Sequence, residues 1–91
     1  MAYIGKVRVP EEWTSLETLL GTTFTSGKSY SIQALANSNV RLCNSTSLPT
    51  DNFDGENIKD LMQAIFEPDA GTLYVKSSIP SPCFVVVSEL G

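Results

Sequence analysis

The residues from Asp51 to Asp60 hold four carboxylates, those of Asp51, Asp54, Glu56 and Asp60, around the stretch DNFDGEN. Oxygens grouped in this way are the raw material of a calcium site. The regular alternate-position ligands and the closing Glu of a helix–loop–helix calcium loop are missing, so these residues read as a solvated acidic loop. Glu11 and Glu12 read the same way at a helix start. General acid–base catalysis needs a titrating group held in a pocket, and the chain has no histidine. Cys43 and Cys83 therefore have no histidine to activate them, and no serine lies in a G-x-S-x-G turn. Glycine-rich phosphate loops are absent as well. The sequence points to no enzyme, no metal and no cofactor.

What remains is recognition chemistry. Tyr3, Trp13, Tyr30 and Tyr74 are candidates for lining a sugar groove, but Tyr and Trp also serve as core residues with a wet tip. Tyr30 and Tyr74, at strand positions, read as core. Trp13 either covers one end of the core or anchors a partner. Residues 3 to 9 alternate, with Tyr3, Gly5, Val7 and Val9 on one side and Ile4, Lys6 and Arg8 on the other. This is a strand with one basic face, an edge strand or an N-terminal arm. Tyr3, Ile4, Lys6, Arg8 and Trp13 are accordingly the candidate partner-binding residues.

The elements that must position them belong to one domain, residues 1–91. A chain of 91 residues buries only about 60–65% of its unfolded surface, so it has room for one core and little else. Apolar residues make up 42% and charged residues 18%, a folding composition. The net charge of −4 with six scattered cations argues against binding phosphate backbones or an anionic membrane surface. No stretch approaches the roughly 20 apolar residues of a membrane span. The stretch MAYIGKVRVPEEW is charged and short of apolar residues for a signal peptide, so the expectation is a cytoplasmic chain. Asn44-Ser45-Thr46 matches a glycosylation acceptor, which carries no weight without secretion. The two cysteines read as buried thiols behaving as small hydrophobes.

Trp13, Leu16 and Leu20 share a helical face over a short helix that Gly21 stops. Thr14 with Glu17 has capping-box spacing, and Pro10 with Glu11 and Glu12 offers an earlier start. Tyr30, Ile32 and Ala34 alternate with Ser31 and Gln33. Asn37 to Asn39 form a turn, and a return strand follows with Val40 and Leu42 inward and Arg41 and Cys43 outward. Ile58, Leu61, Met62, Ile65 and Phe66 fit a helix over 57–66 that Pro68 ends. Residues 72–77 read as a strand, and CFVVVSEL as a central strand buried on both faces. The sum is a mainly β fold, a small antiparallel β-sandwich or barrel with one or two short helices.

Five motifs occur in order: W-x-x-L-x-x-L (Trp13, Leu16, Leu19), GKSYSIQ (27–33), VRLCNSTSLP (40–49), LYVKS (73–77) and CFVVVSE (83–89). In this the chain resembles small β-rich virion proteins of tailed bacteriophages, the capsid decoration and head-associated proteins. The helical pattern at 57–66 departs from that resemblance, since comparable proteins are extended there. The resemblance implies a non-enzymatic structural protein of the virion, assembled in the host cytoplasm. Its implied partners are the major capsid protein or another virion protein, together with further copies of itself in an oligomer, and neither nucleic acid nor membrane. A soluble carbohydrate- or protein-binding β-module is the alternative.

Overall fold

The computed structural model describes residues 2–50, 55–68, 71–80 and 82–90. The strands are β1 (Ala2–Val9), β2 (Thr14–Ser15), β3 (Ser29–Ala34), β4 (Asn39–Ser45), β5 (Glu56–Lys59), β6 (Gln63–Phe66), β7 (Thr72–Ser77) and β8 (Cys83–Leu90), with one helix, α1 (Leu16–Leu20). They form two antiparallel four-stranded sheets. Sheet A runs β1-β8-β3-β6 and sheet B runs β2-β7-β4-β5. The fold is thus mainly β, of the small sandwich type, with one short helix among the described residues.

Alternation decides what each strand contributes to the core. Tyr30, Ile32 and Ala34 from β3 and Val85 and Val87 from β8 point inward from sheet A. Val40 and Leu42 from β4, Ile58 from β5, and Leu73 and Val75 from β7 meet them from sheet B. Phe24, Tyr30 and Phe66 close one end as an aromatic cluster with centroids 4.7 to 5.5 Å apart. The Thr25 N–H donates to the Tyr30 hydroxyl at 2.7 Å, which gives the buried phenol its polar partner.

Helix α1 is too short to stand alone and is held by its apolar side. Leu16 is fully buried, and Leu19 and Leu20 pack on the core. A Cβ at Gly5 would lie 3.1 Å from Leu20 Cδ2, so the missing side chain lets the helix nest beneath β1. Gly21 ends it in the left-handed region, its N–H donating to the Glu17 carbonyl at 2.9 Å. The capping box is not formed. Ser15 takes the N-cap position without a side-chain cap bond, and Thr14 belongs to β2 opposite Val75. The Glu17 carboxylate instead accepts from the Phe24 N–H at 2.8 Å.

The helix expected over 57–66 is two strands and a corner. Ile58 and Phe66 face the core from different sheets, whereas Leu61, Met62 and Ile65 are exposed. Asp60 and Leu61 have positive φ (43° and 72°), which turns the chain from sheet B into sheet A. The corner is pinned to the β3–β4 turn. Asp60 N–H donates to the Ser38 carbonyl, Leu61 N–H to the Ala34 carbonyl, and Asn37 N–H to the Asp60 carboxylate. Five apolar residues matched the helical period because a phase break between two alternating runs produces the same spacing.

A second junction ties the sheets around Cys83. Its sulfur accepts from the Asn39 N–H at 3.4 Å and lies 3.2 Å from Ser77 Oγ, linking β8 to β4 and β7. Cys83 is buried as expected; Cys43 is only half-buried, on the outer side of β4.

Leu61→Gly tests the corner. A non-glycine residue in the left-handed region costs roughly 1–2 kcal/mol, and glycine's extra unfolded freedom costs roughly 0.5–1 kcal/mol. Stability by chemical denaturation is expected to be unchanged or higher by up to about 1.5 kcal/mol. A loss of about 1 kcal/mol is the result a helical segment would give.

Candidate functional site: the outer faces of the two sheets

A cleft of about 440 Å³ opens where β1 ends beside α1. Its titratable lining is Arg8 and Glu11, and its one hydroxyl, on Ser77, is committed to the Ile79 carbonyl at 2.6 Å. This is no nucleophile–base pair. Among the described residues no group of three or more His, Cys, Asp or Glu comes together to hold a metal. Of the acidic stretch, Asp51 and Asp54 lie outside the described residues, while Glu56 starts β5 and Asp60 serves the corner.

The outer face of sheet A is the first surface of note. Tyr3, Ser88, Ser31 and Ile65 fall in one row across its four strands. Tyr3 and Ile65 stand 68% and 67% exposed at the two ends, with Ser31 and Ser88 buried between them. The next row is Lys6, Val86, Gln33 and Gln63, and Arg8 lies beside Phe84. Lys6 Nζ sits 5.2 Å from the Phe84 ring centroid, a cation–π distance. Phe84 and Val86 are half-buried, although they belong to an interior strand. The expectation of a strand buried on both faces therefore holds for the inner face only. Among the described residues no element covers the outer one.

Strand β1 pairs with β8 at seven positions and ends sheet A. It is an edge strand that packs on the core through Val9, Val7 and Ile4. An end strand directs half of its N–H and C=O groups away from its one neighbour. The register shifts between Tyr3 and Gly5, so Ile4 is the extra residue of a bulge. That bulge reverses the expected faces: Ile4 packs on the core, and Tyr3 joins Lys6 and Arg8 outside.

The outer face of sheet B is the second surface. Arg41 lies opposite Lys76 on one side and Asn57 on the other, and Lys59 is two residues further along β5, opposite Asn39. Tyr74 lies opposite Cys43 and Ser15. Trp13 immediately precedes β2, whose Thr14 is paired with Val75. Both aromatics are half-buried, and the place of Tyr74 on the outer face, opposite Cys43 and Ser15, corrects its core reading. Gly55 helps to build this surface. A Cβ there would overlap the Leu42 carbonyl, and its own carbonyl accepts from Arg41 Nη1 at 3.3 Å.

Of the five candidate residues, then, the structure brings Tyr3, Lys6 and Arg8 together, turns Ile4 inward and places Trp13 beside the other sheet. Phe84, Val86 and Ile65 were missed because strand alternation does not tell which face will be covered. Compared with protein families, curated proteins and solved structures, the chain matches none.

Adjacent residues of β8 separate the two faces. Val86→Lys, on the outer face, is expected to cost about 1 kcal/mol or less. Val85→Lys buries a charge and is expected to abolish cooperative folding. Thermal unfolding of the two variants checks this; equal losses would refute an uncovered outer face.

Proposed function

We propose that this chain is a non-enzymatic structural protein that docks on a larger protein assembly. In the setting implied by its resemblance, it is a phage virion protein of the capsid-decoration or head-associated kind, and its partner is the major capsid protein. The observation that carries the reading is the outer face of sheet A, where Tyr3, Phe84, Val86 and Ile65 sit beside an open strand edge bearing Lys6 and Arg8. An apolar face next to unpaired main-chain groups suits strand addition by a partner together with side-chain contact. The two cations discourage β1 from pairing with another β1, because like charges would oppose one another. Repetition on a particle supplies avidity, so each copy needs only modest contacts.

One observation favours a second reading, a carbohydrate-binding module: half-buried Tyr74 stands on the outer face of sheet B opposite Ser15, and half-buried Trp13 directly precedes that strand. A saturable change in Trp13 fluorescence at millimolar sugar or below is its expected signature, and a flat titration excludes it.

The test of the main reading is compositional. Particles banded on a density gradient from the source culture are expected to contain this chain at fixed stoichiometry to a major virion protein. Absence from purified particles would sink the proposal. In reconstitution, Tyr3→Ala combined with Val86→Lys is expected to weaken particle binding at least tenfold with the fold intact, as read by circular dichroism.

A further inference from the structure

The open edge of β1 has a definite hydrogen-bonding phase, and its neighbours reveal it. The Leu35 N–H donates to the Phe84 carbonyl at 3.0 Å, one step beyond the last pair of the β3–β8 ladder. Main-chain groups along an antiparallel strand turn to alternate sides. Phe84 and Val86 therefore direct theirs towards β3, while Cys83, Val85 and Val87 direct theirs towards Val9, Val7 and Gly5 of β1. Lys6 and Arg8, opposite Val86 and Phe84, are left with N–H and C=O groups on the open side of β1. Both residues are exposed. The stretch between them is bounded by the bulge at Ile4 and by Pro10, which has no N–H to donate. Among the described residues neither cation has a carboxylate within ion-pair distance; the ion pair present is Lys28–Glu89 at 3.1 Å. Lys6 stands over the Phe84 ring, but an ammonium carries three donors and still has some to give.

Resting on the docking proposed above, we infer that the edge of β1 takes an antiparallel extended segment of the partner with carboxylates two residues apart, one opposite Lys6 and one opposite Arg8. A strand that bonds to Lys6 and Arg8 sets the residues opposite them in hydrogen-bonded pairs, with Cα atoms about 5.5 Å apart. Side chains two residues apart share one face of a strand. An acid–x–acid sequence therefore presents both carboxylates to the two cations at once, on the outer face of sheet A. Adjacent carboxylates would present only one. The Arg8 guanidinium can take its carboxylate in two parallel hydrogen bonds. Charge also decides against a second copy as the occupant. Another β1 set antiparallel in those bonds would put cation against cation, and like charges directly opposite are destabilising.

The probe is a nine-residue acetylated, amidated peptide of Thr and Val with Glu at its fourth and sixth positions. It is compared with its Gln analogue and with a peptide whose Glu residues are at the fourth and fifth positions. Amide NMR spectra of the full chain follow each titration up to millimolar peptide. The first peptide is expected to shift the Lys6 and Arg8 amide signals saturably, and more than those of Gly5 and Val7, which already bond to β8. Its affinity is expected to exceed that of either comparison peptide about fivefold and to fall as salt is raised. Lys6→Glu with Arg8→Glu is expected to lose this peptide and to bind one with Lys at the same two positions, at an unchanged thermal midpoint. Should that double variant misfold, Arg8→Glu alone is expected to weaken binding about threefold. Equal affinity for either comparison peptide overturns the inference. Shifts centred on β6 or on sheet B, or no shift at millimolar peptide, overturn it too. A chain that bands with particles yet ignores the acidic peptide keeps its structural role and loses only the acidic partner segment, so the two failures are distinct.

Discussion

The corner at Asp60–Leu61–Met62 is the constraint on which the two sheets depend. Here the chain leaves β5 in sheet B and enters β6 in sheet A, and four backbone or carboxylate bonds fasten it to residues 34–38. Fixing the corner fixes the register of β5 against β4 and of β6 against β3. Because side chains alternate, a slip of one residue would send Ile58 or Phe66 outward. The Cys83 junction performs the same office between β8 and sheet B, and α1 fills the opposite opening between β1 and β7.

With the inner faces committed to one small core, function is left to the outer faces and the ends. The charge pattern follows this division. Five of the six cations, Lys6, Arg8, Arg41, Lys59 and Lys76, belong to strands, whereas Glu11, Glu12, Asp60 and Glu67 lie in the connections and of the described carboxylates Glu56 and Glu89 lie in strands. An overall acidic chain thereby presents cationic sheet faces framed by acidic turns. Such a surface orients a partner more than it strengthens binding, because exposed charges contribute to steering and register. The apolar residues among them, Phe84, Val86, Ile65 and Tyr3 on sheet A, supply the area to be buried.

Much of this was legible in the residues. Alternation in 29–34 and 39–45 marked strands with the correct inward residues, 72–77 was legible as a strand though Tyr74 turns outward from it, and Gly21 marked the helix end. The β-sandwich class followed from strand and turn density. Three features were hidden for identifiable reasons. The run from Ile58 to Phe66 met the helical period because two strands were joined by residues of positive φ, which neither Asp60 nor Leu61 announces as glycine would. Ile4 was assigned to the wrong face because a bulge adds one residue to the count. The outer positions of Tyr74, Phe84 and Val86 depend on what each sheet packs against, which is a property of the tertiary fold. The grouping of scattered cations on sheet B likewise exists only after β4, β5 and β7 have paired.

The claim at the centre of this account is that the open edge of β1 and the adjoining outer face of sheet A form the docking surface. Amide hydrogen exchange of the chain, free and bound to its particle, tests it most directly. The account predicts that added protection concentrates in β1, because its outward N–H groups gain partners, with smaller gains in β6 and β8. Protection confined to sheet B, or no added protection in β1, would contradict it.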